Sequence, residues 1–355
     1  MVHRRSREKL LLLVIAACLL PLHAALNVSS IDQCAPLSPR KTPVTGVTDL
    51  RADDIKVIGG LGDSIMAGFA MMGINEAGTG IVNFSSVTEF RGHSYAVGGD
   101  KGAVTVPNFL KHYSKSVKGA SVGSHIVSYC GADTCLAVYR PLRDNLNAAQ
   151  SGAVAKNLQT ELDYLISRMK TYLGINYRND WKLITIQIGS NDQCGYCNSG
   201  TKDDVTVEKY GAYVEAAIER IKQNIPKVLV NLLGTFEVSA VFPLTEGQAY
   251  CRPRHNDSST ILNRSMCSCS DSEENLRKMD ELSAGYNEKL RAIAEKYKAV
   301  DGATFGVVYR PMPINIGSFP IDALSNLDCF HPSQKGHNWV AKIYCPTDSD
   351  RISVK

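Results

Sequence analysis

Residues 55–64 read IKVIGGLGDS, an apolar run from Ile55 to Leu61 that ends in Gly62-Asp63-Ser64. Continuous apolar runs of this kind suit parallel strands covered on both faces. Three more have the same character: Trp181–Ile188 (WKLITIQI), Lys227–Phe236 (KVLVNLLGTF) and Phe305–Tyr309; Asn145–Ala149 is a weaker fifth. Helical patterns lie between them. Val154, Leu158, Leu162, Leu165, Ile166, Met169 and Leu173 recur at spacings of three and four, which makes one apolar face. Val205–Ile225 predicts a second helix stopped by Pro226, Ser272–Tyr297 a third with Ser272 as its N-cap, and Ser333–Ile343 a short last one. Strand and helix in alternation predict an α/β sandwich on a parallel sheet. Chemistry is then expected at the carboxyl ends of the strands, directly after the apolar runs.

The chain has 355 residues, 44% apolar and 21% charged, which excludes disorder, collagen and coiled coil. No repeat of solenoid or propeller length is visible. The formal charge of +4 is concentrated at the N-terminus, where Arg4, Arg5, Arg7 and Lys9 face only Glu8. Beyond Ala25 the chain holds 35 basic against 34 acidic residues, so charge gives no case for a nucleic-acid partner.

That N-terminus reads as a secretory signal over 1–25: a basic stretch, the apolar run Leu10–Leu20, Pro21, then Ala24 and Ala25. Eleven apolar residues are too few for a spanning helix, which needs about 20. Residues 26–50, with Pro36, Pro39, Pro43 and Gly46, read as a leader extended over the surface. Residues 51–345 form the expected catalytic domain and 346–355 a polar tail without the hydrophobic run of a lipid-anchor signal. Two stretches break the alternation, Phe84–Gly131 and Phe242–Asp271; they read as large loops over the sheet edge. Glycan acceptor tripeptides stand at Asn27, Asn83, Asn256 and Asn263. A secreted, extracellular protein without a stable membrane anchor is expected.

Four short blocks carry the chemistry. Ser64 stands at a strand-to-helix turn, where its hydroxyl is presented beside a helix N-terminus; taken alone it could merely cap that helix. Asn191, in Gly189-Ser190-Asn191-Asp192, emerges from the second strong strand and could donate to a developing oxyanion, or be an ordinary turn residue. Gly152 would let a substrate oxygen approach a backbone N–H, although a plain loop glycine is the simpler reading of it alone. Among the histidines beyond Ala25, His331 alone has a carboxylate three residues earlier on an expected turn, Asp328, which can orient one ring nitrogen and leave the other for Ser64. His93, His112, His125 and His255 fall in the long loops and read as surface residues; His337 lies inside the last helix.

Taken together, Gly62-Asp63-Ser64, Gly152, Gly189-x-Asn191-Asp192 and Asp328-x-x-His331 resemble the four blocks of the SGNH, or GDSL, lipase/esterase superfamily. RADDIKVIGGLGDSIMAG, EFRGHSYAVGGDKGAVTVPNFLKHY, LNAAQSGAVAKNL, IGSNDQCGYCN, CSCS and DCFHPSQKGH extend the resemblance to the animal phospholipase B-like group. The resemblance implies a flavodoxin-like three-layer α/β/α sandwich with five parallel strands. It implies Ser64 as nucleophile, His331 as base and Asp328 as its orienter. The N–H groups of Ser64 and Gly152 with the Asn191 amide would form the oxyanion hole. No metal and no other cofactor is implied. Many relatives read Gly-Asp-Ser-Leu-Thr where Ile65-Met66 follow Ser64 here, a difference that bears on pocket shape and substrate choice.

Of eleven cysteines, Cys18 falls in the signal and ten remain. Cys194-x-x-Cys197 and Cys267-x-Cys269 have a spacing that zinc could use, but export favours disulfides. Cys130 with Cys135 would close a small loop, Cys251 is expected to pair near Cys267, and Cys194 and Cys197 would tie down the loop that aims Asn191. The expected activity is release of fatty acid from glycerophospholipids and lysophospholipids through an acyl-enzyme, with transient contact to a lipid surface. The alternatives are an esterase for short-chain, neutral-lipid or acyl-sugar esters, and a catalytically silent secreted lipid-binding protein.

Overall fold

A computed structural model describes residues 36–74, 87–131, 134–251, 262–312 and 314–343. The signal segment, the C-terminal tail, His255, Cys18, Cys34, Cys345 and the acceptor sites Asn27, Asn83 and Asn256 lie outside these residues. The sheet has four parallel strands, β1 (Ile55–Gly62), β2 (Trp181–Gln187), β3 (Val228–Leu233) and β4 (Phe305–Arg310), side by side in chain order. These are the four strong apolar runs, and β2 is buried along its whole length.

Five strands were expected; the described residues give four. The weaker run, Asn145–Ala149, follows β1 without becoming a regular strand. It makes one parallel bridge, Gly60 to Asn147, with Ala148 N–H donating to Gly60 O (2.8 Å) and Gln150 N–H to Gly62 O (2.9 Å). Lys118 bridges to Val57 further back. Two separate chain pieces thus border β1 where one strand would run. Asn145 itself has a positive φ of 50°, which no strand accommodates.

One face of the sheet is covered by α3 (Leu158–Thr171), α5 (Val207–Asn224) and α6 (Glu273–Lys296), whose apolar stripes join the strands in one core. Ser272 caps α6 as expected, accepting from Asn275 N–H, and Thr206 caps α5 by accepting from Lys209 N–H. Leu173 is not on this face; α3 ends at Thr171 and Leu173 is 91% exposed. The glycine pair in β1 shows the two faces. A Cβ on Gly59 would touch Leu165 of α3, whereas one on Gly60 would lie 2.8 Å from Val97 and 2.9 Å from Met66 on the opposite side.

Val97 belongs to the stretch expected to be a large loop. Instead Tyr95, Ala96, Val97, Phe109 and Leu110 are buried there, the last two on α2 (Val106–Tyr113), so residues 91–121 form a packed layer. The leader also differs. Val47 and Leu50 are fully buried, Val47 N–H donates to Ala303 O, and Arg40 pairs with Asp49 and Asp54.

Eight described cysteines form four disulfides: Cys130–Cys135, Cys194–Cys267, Cys197–Cys269 and Cys251–Cys329. The zinc reading is replaced by two cross-links between the Cys194–Cys197 and Cys267–Cys269 motifs. The expected pairing of Cys251 near Cys267 is corrected, since Cys267 is taken by Cys194 and Cys251 reaches Cys329. Asn263 is also corrected as a glycan acceptor: its amide is buried and donates to Thr245 Oγ1 (2.6 Å) and Cys329 O (3.4 Å).

Candidate active site

β1 ends at Gly62, and a single helical turn, α1 (Ser64–Ala67), begins at once. Asp63 makes that turn possible by accepting Ile65 N–H on Oδ1 at 2.9 Å. Ser64 Oγ stands 2.7 Å from His331 Nε2, across 267 residues of sequence. His331 Nδ1 is 2.6 Å from Asp328 Oδ2, while Asp328 Oδ1 accepts Phe330 N–H (3.0 Å) and His331 N–H (3.1 Å). With Nδ1–H donating to the carboxylate, Nε2 is the acceptor for the serine hydroxyl. All three side chains are buried, and Phe69 meets the His331 ring edge-to-face at 4.8 Å.

The turn that supplies Asp328 and His331 is closed on itself. Ser325 N–H donates to His331 O, and Cys329 N–H to Ser325 O, both at 2.8 Å. Between the two functional residues Cys329 has φ 48°, a left-handed conformation unusual for a side-chain-bearing residue, and its disulfide to Cys251 anchors it. The helix that follows, α7 (Gln334–Ile343), carries His337. Burial pushes the His337 imidazole down to about 3, so it is neutral, and its Nδ1 accepts Tyr95 N–H. It is a core histidine.

Asn191 lies in the first turn of α4 (Ser190–Gly195), directly after β2, and its Nδ2 donates to Ala153 O at 2.9 Å. That bond joins the asparagine block to the residue after Gly152. Gly152 has φ 87°, and a Cβ there would lie 2.4 Å from the Tyr129 ring and 2.9 Å from Cys130 O. Ser190 is close enough to Asp63 to help hold its charge. The blocks around Ser64, Gly152 and Asn191 are therefore neighbours at one end of the sheet.

Three carboxyl groups are buried beneath this edge. Burial pushes Asp63 up to about 6 against the Ile65 N–H, and Asp192 up to about 7 against the Ala155 N–H that its carboxylate accepts. Glu161 accepts Gly62 N–H at 2.8 Å and is held well above the usual carboxylate range by burial.

One sequence expectation about this region changes. His125, expected on the surface, has a buried side chain: Nε2 is 2.8 Å from Asp144 Oδ1, and Nδ1 is 2.6 Å from Arg140 Nη1. It belongs to a buried charge network that sequence reading missed. Arg91 pairs with Glu89 (2.8 Å) and Asp144 (3.2 Å) and donates to Asn147 O (3.0 Å) and Ala149 O (2.7 Å). Glu89 Oε1 in turn accepts the Ser151 hydroxyl at 2.6 Å, one residue before Gly152. The only local signal was that EFRG and NAAQSG both lie in stretches shared with the resembled group.

Among the described residues no group of three or more His, Cys, Asp or Glu is arranged to hold a metal ion. What the arrangement offers is a hydroxyl and an oriented base, with the Gly152 and Asn191 blocks beside them, the parts of acyl transfer.

The family model described as GDSL-like Lipase/Acylhydrolase matches residues 58–343. The chain is 27% identical over 319 residues to "Phospholipase B1, membrane-associated" of Homo sapiens, covering 87% of this chain and 20% of that protein. It is 29% identical over 325 residues to the Rattus norvegicus protein of that name, covering 88% and 20% respectively. The chain thus spans about a fifth of the length of the curated relatives it matches. Among solved structures it is similar to a catalytic mutant of an acetylxylan esterase from Geobacillus stearothermophilus, with 16% identity, a TM-score of 0.39, and coverage of 81% of this chain and 92% of that one.

Proposed function

Since the chain belongs to the GDSL-like lipase/acylhydrolase family, we propose that it is a serine ester hydrolase that releases fatty acids from glycerophospholipids and lysophospholipids. The observation that carries this reading is the continuous line from Ser64 Oγ through His331 (2.7 Å) to Asp328 (2.6 Å). His331 Nε2 takes the Ser64 proton as Oγ attacks the ester carbonyl carbon. The negative charge that develops on the carbonyl oxygen is met by the N–H groups of Ser64 and Gly152 and by the Asn191 amide, which has a second hydrogen besides the one given to Ala153 O. Collapse expels the alcohol, protonated by His331, and leaves the acyl group on Ser64. Water, deprotonated by the same nitrogen, then frees the fatty acid and restores the hydroxyl. Asp328 stabilises the imidazolium in both halves.

The choice of phospholipid over other esters is supported by the resemblance to the phospholipase B1 proteins along 87% of the chain. Export is supported by the four disulfides and by the signal-like first 25 residues. Among the described residues no helix is long and apolar enough to cross a membrane.

The test is fatty-acid release from phosphatidylcholine, lysophosphatidylcholine, triacylglycerol and a short-chain nitrophenyl ester, with wild type beside Ser64→Ala. Release from both phospholipids that vanishes in the variant is expected. Turnover of the nitrophenyl ester alone would favour a short-chain esterase. Absence of labelling by a fluorophosphonate probe would favour a silent lipid-binding protein.

A further inference from the structure

Twelve large hydrophobic residues are exposed among the described residues, and six fall within 122–142: Val122, Ile126, Tyr129, Leu136, Val138 and Leu142. The rest are scattered from Met72 to Ile343, so this concentration is local. Hydrogen bonds link the segments that carry the six. Val122 N–H donates to Arg143 O, next to Leu142, and Leu136 N–H donates to Tyr129 O. Val138 N–H donates to Ser128 Oγ, and Arg140 Nη1 to Ile126 O. The Cys130–Cys135 disulfide cross-links the neighbours of Tyr129 and Leu136. Leu142 is 86% exposed, although it stands on an ordered turn, Pro141–Asp144. An apolar patch held out on a cross-linked frame incurs a hydration cost that folding alone does not explain.

Position and charge indicate what covers it. Cys130 N–H donates to Ser151 O, and the Tyr129 ring fills the space beside Gly152, so the patch runs up to the proposed oxyanion hole. Residues 122–143 carry Arg140 and Arg143 against one acid, Asp133, which lies outside the described residues. Arg168 joins the same border by donating to Pro141 O. Leucine and isoleucine beside a tyrosine, edged by arginines, match the chemistry of a phospholipid surface: acyl chains for the apolar groups, phosphates for the guanidinium groups.

We infer that the surface formed by residues 122–131 and 134–143 is where this protein docks onto a phospholipid bilayer, bringing Gly152 and Ser64 to the lipid. The inference rests on the phospholipid reading of the site and adds how the substrate is reached. Tyr129 touches Gly152 and is left unaltered in the test.

The experiment combines vesicle sedimentation with turnover. Ser64→Ala protein, which leaves the lipid intact, is mixed with phosphatidylcholine vesicles with and without phosphatidylserine. Leu136→Gln/Leu142→Gln, in that background, is expected to partition on the order of tenfold or more weakly, since each leucine loses its apolar contact. Arg143→Gln is expected to weaken binding chiefly to the vesicles that contain phosphatidylserine. Leu173→Gln, which removes an equally exposed leucine elsewhere, is expected to change nothing. With Ser64 intact, the double leucine variant is expected to keep wild-type turnover of a soluble nitrophenyl ester, which also shows that it folds. Unchanged vesicle binding by the double variant, or an equal loss from Leu173→Gln, overturns the docking surface. If vesicle binding is lost as expected but wild type releases no fatty acid from any phospholipid, the docking surface stands and the substrate reading falls.

Discussion

Cys251 is disulfide-bonded to Cys329, 78 residues further along the chain, and Cys329 immediately follows Asp328. The bond reaches into the turn that sets the distance from the Asp328 carboxylate to the His331 ring. Cys329 also has a left-handed φ of 48°, so this turn stays shaped only while its surroundings constrain it.

Replacing both cysteines, Cys251→Ser/Cys329→Ser, is therefore expected to have two effects. Opening a loop of this length should cost about 2–4 kcal/mol, read by denaturant unfolding. Turnover should fall while KM changes little, because the Asp328–His331 relationship, rather than substrate contact, is loosened. A variant that loses stability but keeps full turnover would show that hydrogen bonds alone hold the turn.

Gly152 offers a sharper test of the proposed oxyanion hole. A methyl group at this position meets Cys130 O at 2.9 Å, a backbone atom that cannot swing aside, and φ 87° is strained for alanine. Gly152→Ala is expected to reduce kcat by about 10²–10³, as is Asn191→Ala, which removes the side-chain donor. Steady-state kinetics on a soluble ester would reveal both. Full activity in Gly152→Ala would exclude its N–H from the mechanism.

The buried Glu89–Arg91 pair predicts a different pattern. Ser151→Ala removes the hydroxyl that Glu89 Oε1 accepts beside Gly152, so kcat should drop with KM nearly unchanged, and Ser151→Thr, which keeps the hydroxyl, should recover part of it. Glu89→Ala instead removes the nearer of the two carboxylates paired with the fully buried Arg91, leaving only Asp144 at 3.2 Å, and should cost up to about 3–5 kcal/mol in unfolding free energy.

The readable parts were those with a local signature. β1 to β4 announced themselves as uninterrupted apolar runs, and Ser272 marks a helix start by capping chemistry that acts within three residues. Ser64 and Asn191 were legible because each follows an apolar run whose end is visible, and His331 because Asp328 stands three residues before it. Arg91 was not, because its partners Asp144, Asn147 and Ala149 lie more than fifty residues away, and nothing in a local pattern says that a charge will be buried. The same holds for the disulfide map, where spacing suggested neighbours and the fold joined Cys194 to Cys267 and Cys251 to Cys329. Asn145–Ala149 shows a further limit: its apolar character matched a strand, but Asn145 turns the chain through a positive φ, leaving a single bridge to β1.

Asp192 provides a test through pH. Its carboxyl, raised to about 7 by burial, would titrate near 3.9 in the unfolded chain. The folded protein then binds the proton more tightly than the unfolded one. The stability this contributes is complete below about pH 3.9 and is lost as pH rises through about 7. His337 acts in the opposite direction: held neutral, with its imidazole lowered to about 3, it destabilises the fold as pH falls below about 6.5. Asp63 and Glu161, also raised by burial, act in the same direction as Asp192 and together outweigh His337, so wild type should lose stability as pH rises through the mildly acidic range. Asp192→Asn keeps an oxygen to accept the Ala155 N–H but carries no proton to lose. Its unfolding free energy relative to wild type should rise between pH 5 and 7 by up to about 1.4 kcal/mol per pH unit. Urea unfolding of both proteins across that range decides the matter, because parallel curves would mean that Asp192 is already ionised in the fold.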